Sequence, residues 1–433
     1  MTNKILVITY YWPPSGGAGV QRILKFVKYL PDFEITPIVI TIEPNYAAFP
    51  VLDKSLTKDV NPNLEIYKTK AKDYFKFYKK LTGKNNIPHG GFTGETEKSF
   101  KSKLIRFIRG NFFIPDPRKG WNKYAFQKAC EIIEKHDIKN ILTTSPPHST
   151  QLIGLKLKRK YPNINWIADF RDPWTDIYYY DKLFHTFIAK KIDKNYEKKV
   201  LQNTNHILVV SNPIKQNLNK NSGKNILHKI TVIPNGYDES DFNYENSLKQ
   251  EKFIITYTGT ISTEYKLQGF FQALKNLDEN LKNNICVRFI GSNVEIINTY
   301  NFSDNNIIIE KVNYLPHEEI LKELHKSSLH LLVIPDNKNN KGILTGKLFE
   351  YLGSQKPILC LGPVDGDAAK IINDCNAGAT FDYMDTNNIE LFISNNIKLW
   401  LDDKKISDKY YNDNVYNYTR KNLTKKLAQI ITI

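Results

Sequence analysis

The residues best suited to chemistry lie between Lys341 and Pro363, in the stretch KGILTGKLFEYLGSQKPILCLGP. Gly342 and Gly346 mark a loop, and an amphipathic helix follows with one acid, Glu350, in its opening turns. Lys356 and Pro357 stop that helix before the apolar run Ile358 to Leu361. Backbone N–H groups at a helix start attract phosphate, and a carboxylate one turn on can accept two hydrogen bonds from a sugar diol. Loop, helix start, carboxylate and buried strand together suit a nucleotide.

Three N-terminal stretches have residue types that could act with it: WPPSGGAGVQR, SPPHST and DFRDPW. In the first, Pro13 and Pro14 end a short strand, and Gly16, Gly17 and Gly19 form a loop. A helix leaves this loop at about Val20, striped by Ile23, Phe26, Val27 and Leu30. Strand, glycine loop and helix open a nucleotide-binding type of α/β unit. GGAGVQR lacks the third glycine of the dinucleotide fingerprint, and no acid closes a second strand at the usual distance, so NAD has little support. His148 and the group Asp169, Arg171 and Asp172 follow predicted strand ends, positions that face the crevice of an open parallel sheet. There Asp172 or His148 can orient or deprotonate a hydroxyl. A local Arg–Asp pair bracing the loop is the other reading of DFRDPW, and Trp174 either stacks on a sugar or fills core.

The elements that position these residues alternate. Strands are predicted at 4–10, 36–42, 64–68, 140–144, 165–169, 206–210 and 229–233, with helices at 121–136, from just after His148 through 160, at 183–202 and at 213–219. After a polar stretch, 243–251, a second series has strands at 253–257, 286–290, 307–310, 329–334 and 358–361, and helices at 267–277 and 318–327. The end, 388–401 and 408–430, reads as helices. A chain of 433 residues exceeds what one core serves, and this alternation predicts two parallel-sheet α/β domains. The expected boundaries are 1–245, 246–405 and a C-terminal helix, 406–433, packing back on the first domain.

The net charge of +16 is uneven. From Lys68 to Arg109 there are twelve Lys or Arg against three acids, interleaved with Tyr74, Phe75, Phe77, Tyr78, Phe100 and Phe107. This basic aromatic insertion, about 68–117, suits an anionic membrane surface, or else is a solvated insertion whose aromatics are core; no recognition motif for a specific nucleic acid accompanies it. No apolar run approaches the roughly 18 residues that span a bilayer. MTNKILVITYYWPP lacks a small-residue cleavage site and reads as a first strand. The four cysteines are scattered, which points to a reduced, metal-free, cytoplasmic setting, with peripheral attachment at the inner face of the membrane as the extension.

Taken in order, WPPSGGAGVQR, SPPHST, DFRDPW, VVSNPIKQNL, VIPNGYDESDF, YTGTIS with Lys266, FIGS, YLPHEEI and TGKLFEYLGSQKPIL resemble the GT-B glycosyltransferases, in particular the large retaining family four. The resemblance implies two Rossmann-like parallel-sheet domains facing a central cleft, the acceptor on the N-terminal side and the nucleotide sugar mostly on the C-terminal side. It implies transfer of a sugar from a nucleotide-sugar donor to a glycan or lipid-linked acceptor with retention, in cell-surface polysaccharide or glycoconjugate synthesis, without a cofactor or metal. Glu350 matches the carboxylate on the ribose hydroxyls. Thr345, Gly346 and Lys347 match the diphosphate loop, with Gly16, Gly17, Gly259, Gly291 and Lys266 also on the donor and Leu315 near the base. His148, Arg171 and Asp172 fall on the catalytic side.

Two positions depart from the family pattern. Thr260 follows Gly259 where members often have Arg, leaving Lys347 or Arg288 as the cation that can stand in. Gly342 stands eight positions before Glu350, where many members have an acid on the transferred sugar. These departures keep two alternatives open: a nucleotide-sugar epimerase of the same architecture, and a non-catalytic nucleotide-binding scaffold subunit.

Overall fold

The computed structural model describes residues 3–47, 49, 51–72, 100–177, 179–242, 250–300, 302–304, 306–337, 340–402 and 409–432. Most of the basic insertion, 73–99, and most of the polar stretch 243–251 lie outside the described residues. The chain divides into two compact units, Met1–Pro234 with Thr424–Ile433, and Asn235–Leu423. The break falls inside the PNG turn rather than at 245, and the terminal segment of the first unit begins at Thr424 rather than at 406.

In the first unit, β1 (Asn3–Ile8), β2 (Ile35–Ile42), β3 (Glu65–Thr69), β4 (Asn140–Ser145), β5 (Asn165–Phe170), β6 (His206–Val209) and β7 (Ile230–Val232) form one parallel sheet. Its order is β3-β2-β1-β4-β5-β6-β7. Helices α1 (Ala18–Tyr29), α2 (Phe100–Phe112), α3 (Asn122–His136), α4 (Ser149–Lys160), α5 (Phe187–Asn203) and α6 (Asn212–Ser222) accompany it. Ile5 to Ile8 are wholly buried, as expected of a central parallel strand covered on both faces. The strand order reverses between β1 and its neighbours β2 and β4, so the loops leaving β1 and β4 flank the switch point, where open α/β sheets take ligands.

The second unit has β8 (Phe253–Thr258), β9 (Ile285–Ile290), β10 (Ile308–Val312), β11 (Leu329–Val333), β12 (Ile358–Leu361) and β13 (Gly378–Phe381), in the order β10-β9-β8-β11-β12-β13, again all parallel. Helices α7 (Gln268–Asn276), α8 (Glu279–Lys282), α9 (His317–Lys326), α10 (Gly346–Ser354), α11 (Asp367–Asp374), α12 (Thr386–Leu401) and α13 (Arg420–Ile431) follow in chain order, the last running into residues of the first unit. Period-two alternation splits its strands between two cores. Leu329, Leu331, Val333, Leu359 and Leu361 face one layer, and Leu332, Ile334, Ile358 and Cys360 face the other.

Two helix expectations need correction. The helix placed at 183–202 begins at Phe187, because the Thr186 hydroxyl accepts the Ala189 N–H and caps it there. The helix placed at 408–430 begins at Arg420, after a 3-10 turn at Asp413–Tyr418 started by the Asn412 side chain. Strand β13 and helices α2, α8 and α11 had no sequence reading.

Candidate functional site

In the second unit the candidate residues gather at the carboxyl edge of the sheet. Gly259 ends β8 with φ of +107°, a conformation that disfavours any side chain, and a Cβ there would lie 2.7 Å from the Lys347 side chain. Gly291, at the end of β9, has φ of +143° and lies against the Gly259 carbonyl. Thr260 is exposed, and its carbonyl accepts the Tyr257 hydroxyl at 2.9 Å. Lys347 crosses this loop from the first turn of α10. Its Nζ donates to the Tyr257 hydroxyl at 2.7 Å and lies 4.1 Å from the Tyr257 ring centre and 5.3 Å from that of Tyr265. Burial pushes its pKa down to about 7, against the opposing pull of Glu350.

Helix α10 has neither a side-chain cap from Thr345 nor an acid in its first turn, and its leading N–H groups carry the helix's partial positive charge. The Thr345 hydroxyl is buried without a hydrogen-bond partner. One turn beyond Lys347, Glu350 is half-buried, and its Oε1 lies 3.2 Å from Nε2 of His317, the first residue of α9. His317 lies within YLPHEEI, yet nothing in that motif pointed to Glu350 as its partner. Of the two candidate stand-in cations, Arg288 is already engaged, bridging Glu310 and Glu323. Lys347 is the one beside the Gly259 loop. Lys266 is half-buried and makes no ion pair among the described residues, and Leu315 lines a surface depression with Arg288, Ile290 and Val312. Gly342 ends a short turn whose neighbour Lys341 is paired with Asp365.

In the first unit the loops after β1, β4 and β5 lie side by side. Gly16 is buried against Asp53, where a Cβ would come within 2.9 Å. Gly17 is exposed with open space around it and starts α1. Gly19 makes room for Arg171, whose guanidinium would lie 2.1 Å from a Cβ there. Arg171 donates to the carbonyls of Ser145 and Pro146, tying the loop after β5 to the loop after β4. Asp172, next to it, is exposed.

The ion pair that braces DFRDPW is not local. Asp169 is wholly buried and accepts from Arg22 of α1 at 2.9 Å and from the Thr144 hydroxyl at 2.7 Å. Arg22 also donates to the Pro234 carbonyl at 2.8 Å. Sequence reasoning missed Arg22, because it lies 147 positions from its partner inside an ordinary amphipathic helix.

His148 is buried between aromatic rings, 5.0 Å from Trp174 at 11° and 6.3 Å from Phe170. A backbone acceptor at Pro173 lies near the ring. Burial and the Arg171 charge push its pKa down to about 3, so it is a neutral imidazole and a weak base at ordinary pH. Trp174 is buried, and its indole donates to Asp193 at 2.8 Å. Asp193 also accepts the Tyr180 hydroxyl at 3.0 Å, and Glu197, one turn on, accepts Thr175 at 2.6 Å. Burial raises these two α5 carboxyls to about 6 and about 7.

Two Rossmann-like parallel-sheet units, each with glycine loops and charged groups at its carboxyl edge, define an α/β protein of the open-sheet kind that takes ligands at that edge. The fold is GT-B. It matches sucrose-phosphate synthase from Thermosynechococcus elongatus at 13% identity over 99% of this chain and 98% of that one, with a TM-score of 0.59. It also matches a glycosyltransferase from Rickettsia africae at 16%, covering 100% and 98%, with a TM-score of 0.56. WaaG, a glycosyltransferase involved in lipopolysaccharide biosynthesis, matches at 11%, covering 99% of each chain, with a TM-score of 0.53. In sequence, residues 89–241 match the family described as Glycosyltransferase Family 4, and the chain resembles that family. No curated protein matches the chain by sequence.

Proposed function

We propose that this protein transfers a sugar from a nucleotide-sugar donor to a hydroxyl of a glycan or lipid-linked acceptor, with retention of configuration. The observation that carries the reading is the constellation on α10: an uncapped helix start, Lys347 over the Gly259 loop, and Glu350 held by His317. In this reading the α10 N–H groups and Lys347 take the diphosphate, Glu350 takes the ribose hydroxyls, and Lys266 and Leu315 complete the donor contacts. Positive charge at the leaving diphosphate stabilises the transition state as the glycosidic bond breaks. The departing phosphate oxygen accepts the proton of the attacking hydroxyl, so the protein's part is positioning and electrostatics. Asp172, exposed at the sheet edge beside the anchored Arg171, orients that hydroxyl. Neutral His148 supports the loop through its stacked rings.

The further reading is metal-independent transfer at the inner face of the cell membrane, serving cell-surface polysaccharide or glycoconjugate synthesis. A thermal-shift panel of nucleotides and nucleotide sugars selects the donor, since a ligand that binds the native state raises its melting point. Loss of a charged hydrogen bond of about 1.5–3 kcal/mol should weaken nucleotide binding by Glu350→Ala roughly 10- to 150-fold. Unchanged affinity in that variant would refute the ribose assignment. Transfer assays with and without a chelator test the metal expectation.

A further inference from the structure

The first turns of helix α5 reverse the pattern of an ordinary surface helix. Helix α5 buries Ala189, Asp193, Glu197, Val200 and Leu201, and leaves Phe187, Ile188 and Ile192 exposed at 78%, 70% and 39%. The inward acids are accounted for by the Trp174, Tyr180 and Thr175 hydrogen bonds. The outward apolar residues have no such account.

The same surface continues onto neighbouring elements. Phe184, 46% exposed, precedes α5, and α2 is fastened to this corner through Asn111. The Asn111 side chain donates to the Phe184 carbonyl at 3.1 Å and accepts the Thr186 N–H at 2.7 Å. Helix α2 adds Leu104, Phe107 and Phe112, at 48%, 38% and 68% exposure. Seven of the sixteen exposed large apolar side chains among the described residues thus fall within two short segments, 104–112 and 184–192. Single exposed apolar residues are ordinary, whereas a contiguous patch marks a docking face.

Charge selects the occupant. Lys103, Lys191 and Lys194 are exposed at this patch and make no ion pair among the described residues; the exposed acid beside it, Asp181, is paired with Lys190, and 100–112 contains no acid. A second copy docking symmetrically would set these lysines against their own counterparts. Nucleic acid would reward the lysines but not Leu104, Ile188 and Ile192. A bilayer with anionic headgroups rewards both, because Phe and Ile enter the acyl boundary while lysine stems lie along it with their charges at the phosphates. We propose that the α2–α5 corner of the first unit is a docking face for an anionic phospholipid bilayer. The proposal gives the membrane part of the proposed function a docking face, and its failure leaves the nucleotide-sugar part, tested by nucleotide affinity, standing.

The test is flotation of the full chain with vesicles of phosphatidylcholine alone or containing about 30% phosphatidylglycerol, at low and high salt. The expected result is binding to the anionic vesicles that weakens with salt. Phe187→Ser with Ile188→Ser, and separately Lys191→Glu with Lys194→Glu, should each lower partitioning at least about tenfold, with the melting temperature little changed. All four native cysteines are buried, so a polarity-sensitive dye on Phe187→Cys reports insertion directly through a blue shift on anionic vesicles alone. Absence of flotation, no dye shift, or undiminished binding by the serine variant would overturn the proposal. So would a concentration-dependent dimer that the serine variant dissociates.

Discussion

Lys347 makes the sharpest quantitative prediction. Its ammonium group is set over two tyrosine rings, and burial brings its pKa to about 7. A docked diphosphate supplies the negative charge that restores an ordinary lysine pKa, so binding takes up a proton wherever free Lys347 is neutral. The protonated fraction of the free protein falls from about nine-tenths at pH 6 to about one-tenth at pH 8. Affinity for a nucleotide sugar, whose diester phosphates do not titrate in this range, should fall about tenfold over that interval, or about 1.4 kcal/mol. Calorimetry in buffers of different ionisation enthalpy should read uptake of about half a proton at pH 7 and about 0.9 at pH 8. Lys347→Met should bind about 10- to 100-fold more weakly at pH 6, with no dependence on pH. Wild-type affinity that is flat from pH 6 to 8, or a variant that keeps the slope, would refute the diphosphate role.

Other outcomes follow from the first unit. Arg22→Met leaves Asp169 buried with only the Thr144 hydroxyl as a side-chain partner, and should lower unfolding free energy by about 3–5 kcal/mol in chemical denaturation. The Asp193 carboxyl is raised from 3.8 to about 6, so its stabilising contribution is complete below pH 3.8 and is lost as pH rises through 6. Asp193→Asn keeps the Trp174 bond through Oδ1, reverses the Tyr180 bond so that Nδ2 donates to the phenol oxygen, and removes that loss, so relative to wild type it should gain on the order of 2 kcal/mol between pH 4 and pH 8. With a pKa near 3, His148 should show the ring shifts of a neutral imidazole by NMR throughout pH 5–9. A titration near pH 6.5 would contradict its burial.

Both sheets were legible because their strands are short, apolar and β-branched, with glycine or proline at their ends. The exception, β13, has only four residues, Gly378–Phe381, each half-buried, and offers no such contrast. Glu350 and Lys347 could be picked out because a glycine loop and a helix start lie next to them in the chain. Arg22–Asp169 and Arg288–Glu323 could not, since each pairing is made by the fold between distant positions. Helix α5 departs from its expected bounds at the start, which the Thr186 cap sets, and its inner face takes acids with nearby donors, which no periodicity of apolar residues places.

The first unit is not a continuous piece of chain: it stops at Pro234 and resumes at Thr424. Leu427 and Ile431 of α13, both buried, are made only after the whole second unit has been synthesised. At about 5–20 residues per second, the 189 residues of Asn235–Leu423 take roughly 10 to 40 s to emerge. During that interval the nascent first unit stands without residues 424–433. Vectorial synthesis therefore sets the order of completion. The second unit can finish first, and the unit begun earliest is sealed last.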